Sequence, residues 1–200
     1  MSTDVTRLAK EDIITLPHPD LRRRSQKVGL ITQEIRDIVE GMQHATLDWE
    51  ESRDHEVGVA LAAVQVDQLY RIVVLRNNFD DKDDKSFSIF INPQITKYEG
   101  EIEEDFEGCL SIRDVYGRVP RHSKVRVKAL NLEGREVIVK AEGFLARIFQ
   151  HEIDHTNGVV FIDHIRDRQE AFYRLSNSGR LEKLDYEADI LDNTDLWESA

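Results

Sequence analysis

The stretch Glu142-Gly143-Phe144-Leu145-Ala146-Arg147-Ile148-Phe149-Gln150-His151-Glu152-Ile153-Asp154-His155-Thr156 decides how the rest of the chain is read. Apart from Gly143 it holds no helix breaker, and Asn157-Gly158 behind it suits a left-handed C-terminus, so the stretch predicts a helix. Within it lies His151-Glu152-Ile153-Asp154-His155, an HExxH sequence. Residues i and i+4 of a helix stand about one turn apart, with Cβ atoms roughly 5–6 Å from each other, so both imidazoles can reach one metal ion. Glu152 projects beside them, where it can take a proton from an attacking water and later deliver it to a leaving group. Helical phase agrees with this. Ile148, His151, Glu152 and His155 form one stripe that continues the apolar face begun by Phe144 and Leu145. Polar groups turned inward on such a face are costly unless satisfied, and a metal site satisfies them.

A tetrahedral catalytic site needs a third protein ligand and an open position. The metzincin pattern HExxHxxGxxH is followed as far as Gly158, but Phe161 stands where its third histidine would be. Downstream acids such as Asp163 and Glu170 could complete a thermolysin-like site. Upstream, Glu107-Gly108-Cys109-Leu110-Ser111 offers the only thiol of the chain, and a thiolate is a strong ligand for zinc or ferrous iron. At this point both completions stand. A lone cysteine cannot form an intramolecular disulfide, so an oxidising compartment is not indicated.

Around this helix the sequence predicts one α+β domain: antiparallel β-sheets packed around a central HExxH-bearing helix, with an N-terminal helix and a C-terminal helical extension. Ile35, Ile38, Val39, Met42 and Ala45 recur at helical spacing behind Thr32, a suitable N-cap. Runs at 71–75, 87–91, 124–131 and 137–140 are rich in strand formers, and Leu132-Glu133-Gly134-Arg135 reads as the turn between the last two. The acid-rich stretch 99–107 reads as a solvated strand edge or loop. A third helix is expected over 167–176, where Ala171, Phe172 and Leu175 share a helical face before Asn177-Ser178-Gly179. The catalytic domain is taken to span 1–184. Residues 185–200 hold six acids and no Lys or Arg, and read as a mobile or loosely docked acidic tail.

With 200 residues the chain can bury roughly 70% of its unfolded surface without disulfides. Its 40% hydrophobic and 33% charged residues exclude collagen-like and wholly disordered readings. A net charge of -12 argues against a broad basic surface for nucleic acid or anionic lipid, and no apolar run is long enough to span a bilayer, so a cytoplasmic protein is expected. His18, His44, His55, His122 and His164 read as surface or locally bonded groups rather than further ligands.

One more segment, Gly58-Val59-Ala60-Leu61-Ala62-Ala63-Val64-Gln65, places an amide after a run of small residues. Together with Glu107-Gly108-Cys109-Leu110-Ser111 and the HExxH sequence it resembles, in order, the GxGxAAxQ, EGCxS and HExxH motifs of the peptide deformylases. The resemblance covers about three quarters of the chain, from Ile14-Thr15-Leu16-Pro17-His18-Pro19-Asp20-Leu21-Arg22 through Ile91-Asn92-Pro93 to Gly158-Val159-Val160-Phe161-Ile162-Asp163. It implies a metal-dependent hydrolase that removes the N-formyl group from the formyl-methionine of nascent polypeptides and releases formate. The implied ligands are Cys109, His151 and His155, with Fe2+ the usual metal and Zn2+ or Ni2+ able to substitute.

On the same resemblance Glu152 is the general acid and base, and Gln65 and the backbone N–H of Leu110 stabilise the oxyanion. Substrate would lie extended beside Gly58, Val59, Ala60 and Leu61, its methionine in a pocket of Val59, Phe144 and Ile148 with the stem of Arg147. Glu107 would support the ligand framework. Two positions depart from the pattern: Ala60 replaces the second glycine of the first motif, and Arg113 stands where many members have proline. Ribosome proximity is implied, direct nucleic-acid binding is not, and neither is a membrane. The competing readings are a metallopeptidase with a downstream ligand and a deformylase-like protein that binds formylated peptides without turnover.

Overall fold

The computed structural model describes residues 7–53, 56–176 and 178–197. Helix α1, Gln33–Glu51, begins behind Thr32, whose hydroxyl accepts from the Ile35 amide. The strands that follow are β1, Ala60–Ala62; β2, Ile72–Arg76; β3, Phe87–Cys109; β4, Ile112–Leu130; and β5, Glu136–Glu142. Helix α2, Gly143–Thr156, comes next, then a 3-10 segment at Phe161–Ile165, strands β6, Phe172–Leu175, and β7, Leu181–Lys183, and the short helix α3, Thr194–Trp197. Every strand pairing is antiparallel. The sheet runs β1-β2-β3-β4-β6-β7, with β5 also paired to β4.

Strand β2 shows why its run of Ile, Val, Val and Leu is continuous rather than alternating with polar residues: both of its faces are covered. Ile72 and Val74 pack with Ile35, Ile38, Val39, Met42 and Ala45 of α1. Val73 and Leu75 turn the opposite way, toward Ala146, Ile148, Phe149 and Ile153 of α2. Arg76 ends the strand fully buried, its guanidinium 2.8 Å from Glu50 of α1. Gly58 is pressed just as closely against α1. A Cβ built there would stand 2.7 Å from the Thr46 carbonyl oxygen, so Gly58→Ala should cost about 1–3 kcal/mol, read as a lower urea midpoint.

Two expectations from the sequence are corrected. The helix predicted over 167–176 is a 3-10 turn at Gln169–Ala171 followed by strand β6. Tyr173 and Phe172 of that strand pair with Tyr116 and Gly117 of β4, and this long-range pairing overrides the local helical spacing. The tail is docked rather than loose over its described part. Ile190 and Leu196 are buried with Phe161, Ile165 and Phe172, and the Leu196 carbonyl accepts from Arg22 at 2.9 Å. The described acids of this segment are exposed, while Ile190 and Leu196 between them enter the core. Asn177 and residues 198–200 lie outside the described residues. Among the described residues no helix is long and apolar enough to cross a membrane.

Candidate active site

Strands β3 and β4 form one long hairpin whose ends, Cys109 and Ile112, are register partners, so Leu110 and Ser111 form the connecting turn. The N-terminal segment ties this turn to the one carrying Gln65: the Leu16 amide donates to Ser111 O at 3.0 Å and the Ile14 amide to Gln65 O at 2.8 Å. Gln65 lies in the 3-10 turn Ala63–Val66 and is buried. Its Oε1 accepts from the Ala62 amide at 2.8 Å, which leaves Nε2 as the free end. Nε2 donates to Ser111 Oγ at 3.1 Å and lies 3.6 Å from Cys109 Sγ. The amide is therefore held with its donor toward the thiol.

Helix α2 brings the two histidines to the same point. One ligating atom each from Cys109, His151 and His155 lie within 4.8 Å of one another, with Sγ to His155 Nε2 at 3.2 Å and His155 Nε2 to His151 Nε2 at 3.2 Å. Burial, and then the neighbouring His151, push the His155 imidazole well below its usual range, so it is neutral and keeps a lone pair. His151 presents Nδ1 to Glu107 Oε2 at 2.9 Å, which leaves its Nε2 for the shared point. Burial works against a positive charge on His151, but its bonds to Cys109 and Glu107 outweigh this and raise its basicity. Two imidazole nitrogens and a thiol sulfur converging on one point fit a single divalent ion, and sulfur with two nitrogens suits zinc or ferrous iron.

Glu107 is the hub behind this point. Its carboxylate accepts from Arg121 at 2.9 and 3.1 Å, from Arg147 at 2.8 Å and from His151. Burial alone would raise its pKa, but the bonds to His151 and Arg121 hold the carboxyl well below the usual range. Arg121 continues the chain to Asp154 of α2 at 2.5 Å. Arg147 lines the cleft, and its guanidinium is held by carbonyls, reaching Val119 at 2.7 Å and Glu103 at 2.8 Å. Glu152 is as buried as Glu107 but, among the described residues, has none of its ion pairs. It is buried, its Oε2 has no hydrogen-bond partner among the described residues, and burial pushes its carboxyl up to about 7, with His151 opposing and Glu107 reinforcing the rise.

The point opens into a cavity of about 400 Å³ whose walls include Val59, Ala60, Phe144, Ile148 and Glu152. Phe144 does not extend the buried stripe of α2; it is 49% exposed at the cavity and meets Phe79 edge to face. Leu61 is fully buried on the α1 side, so its side chain faces the core and not the cavity. Gly58 likewise backs onto α1, its amide donating to Glu50. The downstream acids are engaged elsewhere: Asp163 with Arg22 and the Val160 amide, Glu170 with Lys183. His18 accepts from the Asp20 amide and His164 bonds Asp154, while His55 lies outside the described residues. Arg113 is exposed beside a neighbouring groove.

Sequence reasoning missed Arg121, Asp154 and Ser111 as parts of this arrangement. Arg121 is fourteen residues from Glu107, and only the β3–β4 register brings the two together. Ser111 sits within a quoted motif, and its role emerges only from the fold of the turn.

The comparisons with known proteins agree with this geometry. The family model described as polypeptide deformylase matches residues 10–171. The peptide deformylase of Thermomicrobium roseum is 39% identical over 169 residues, covering 83% of this chain and 92% of the relative. That of Brachyspira hyodysenteriae is 40% identical over 151 residues, covering 74% and 77%. Among solved structures, a peptide deformylase from Synechococcus elongatus in complex with actinonin superposes with a TM-score of 0.69 at 33% identity, covering 78% of this chain and 79% of the other. The Thermotoga maritima peptide deformylase gives 0.67 at 33% identity, covering 76% and 95%. With the three motifs meeting at one cavity and these matches spanning most of its length, the chain belongs to the polypeptide deformylase family.

Proposed function

We propose that the chain hydrolyses the N-formyl group from the formyl-methionine of nascent polypeptides, releasing formate, with one divalent ion held by Cys109, His151 and His155. The convergence of these three donors beside the buried Glu152 carries the reading. When bound, such an ion supplies Lewis-acid chemistry, making water more acidic and the formyl carbonyl more electrophilic. Ferrous iron is the expected physiological ion, and zinc or nickel can take its place. Glu152 Oε2 accepts the proton of the attacking water and returns it to the departing amine nitrogen. Gln65 Nε2 and the Leu110 amide donate to the formyl oxygen as charge builds on it. Because the Gln65 amide is fixed by Ala62 and Ser111, Gln65→Ala should lower kcat about a hundredfold, with a smaller change in KM, in a formate-release assay.

The peptide lies along β1, an end strand of the sheet whose outer side can take an added strand. Val59, Phe144 and Ile148 enclose the methionine side chain. Ala60, which lines the same cavity, narrows the approach of the substrate backbone, so Ala60→Gly should lower KM. The working place is the cytoplasm, near the ribosome that supplies the substrate. The ligand set is tested by metal content: Cys109→Ser should lose the ion and Glu170→Gln should retain it. The reverse outcome would favour a metallopeptidase, and bound formyl-peptide without formate release would favour a binding protein.

A further inference from the structure

The hairpin of β6 and β7 begins at Phe172, immediately beyond the residues matched by the family model. It is firmly seated. Phe172 is fully buried, its ring meeting those of Tyr186 and Trp197, and Tyr173 meets Phe106 of β3 edge to face at 5.0 Å. Phe172 and Leu175 are three residues apart, so a strand turns them to opposite sides. Phe172 enters the core, and Leu175 faces the cavity that holds Cys109, His151 and Glu152. Leu181 of β7 is the direct register partner of Leu175 and lines the same cavity. Among the described residues neither leucine belongs to the three core clusters, so two half-buried apolar side chains border the cavity.

We infer that Leu175 and Leu181 are specificity residues that receive an apolar side chain within the two residues following the formyl-methionine. This rests on the deformylase reading above. The occupant follows from continuity: the leucines line the same cavity as Glu152, Val59 and Ile148. A substrate running out from Glu152 in extended form advances about 3.3 Å per residue. Its next side chains therefore pass within the cavity bordered by the hairpin. Transfer of a leucine side chain onto two leucines favours it over alanine or serine, on the order of tenfold when the cover is partial.

The test is kcat/KM for formate release from formyl-Met-Ala-Ser, formyl-Met-Leu-Ser and formyl-Met-Ala-Leu by the iron-loaded protein. Wild type should favour one leucine peptide over formyl-Met-Ala-Ser by about tenfold. The ratio should fall to about twofold or less in the Leu175→Ser, Leu181→Ser double variant and return in the Leu175→Met, Leu181→Met variant. A flat ratio in wild type, or a ratio kept by the serine variant, overturns the inference while leaving deformylation intact. Absence of formate from all three peptides overturns the deformylase reading and this inference with it.

Discussion

Replacing Glu152 by Gln should lower kcat for formate release about 10²–10⁴-fold while the protein still binds one divalent ion per chain. Glutamine keeps the shape of the side chain and its place on α2 but cannot accept and return a proton. The wild-type carboxyl is suited to both halves of that transfer. It is 5% exposed, its Oε2 has no partner among the described residues, and burial raises its pKa to about 7, so its two protonation states are close in energy at neutral pH. The check pairs formate release with metal analysis of the same sample. Turnover within a few-fold of wild type would remove Glu152 from the chemistry. Loss of the ion together with turnover would instead make it part of the metal-holding frame.

Glu107→Ala should be the most damaging single change to the fold near the site. It strips the common partner from Arg121 and Arg147, which are each 6% exposed, and leaves two cations without their shared anion. Breaking a buried pair of this kind costs about 3–5 kcal/mol, a large part of the stability of an ordinary domain. His151 also loses the acceptor that orients its ring, so metal affinity should fall about 10–100-fold. Urea unfolding and chelator competition measure the two effects separately. Glu107→Gln should fall between, since an amide oxygen can still accept a hydrogen bond. A loss below about 1 kcal/mol in the alanine variant would contradict the view of Glu107 as the hub.

How far the sequence reached depends on whether the deciding interactions are local. Helix α1 was legible from its apolar period and the Thr32 cap, and α2 from the run ending at Gly158, whose φ is +77°. The Cys109, His151 and His155 convergence was legible as a set only through the resemblance, because the residues alone offered the thiol as a strong ligand but left a downstream acid open beside it. The length of β3 was not legible. Most of Thr96–Phe106 is exposed on both faces of a twisted ribbon, so no alternation marks it as strand. At Phe172 and Leu175 the spacing suits a helix, yet pairing with Tyr116 and Gly117 sends one inward and the other to the cavity. Among the tail acids, Ile190, Leu196 and Trp197 were the residues to weigh. The acids set the charge of the segment, but these three set where it packs.

The most direct test of a metal-dependent deformylase centred on Cys109, His151 and His155 is formate release from formyl-Met-Ala-Ser by protein purified anaerobically and loaded with ferrous iron. The expected result is turnover that a chelator abolishes and added ferrous iron restores. One tightly bound ion per chain with no formate released would contradict it.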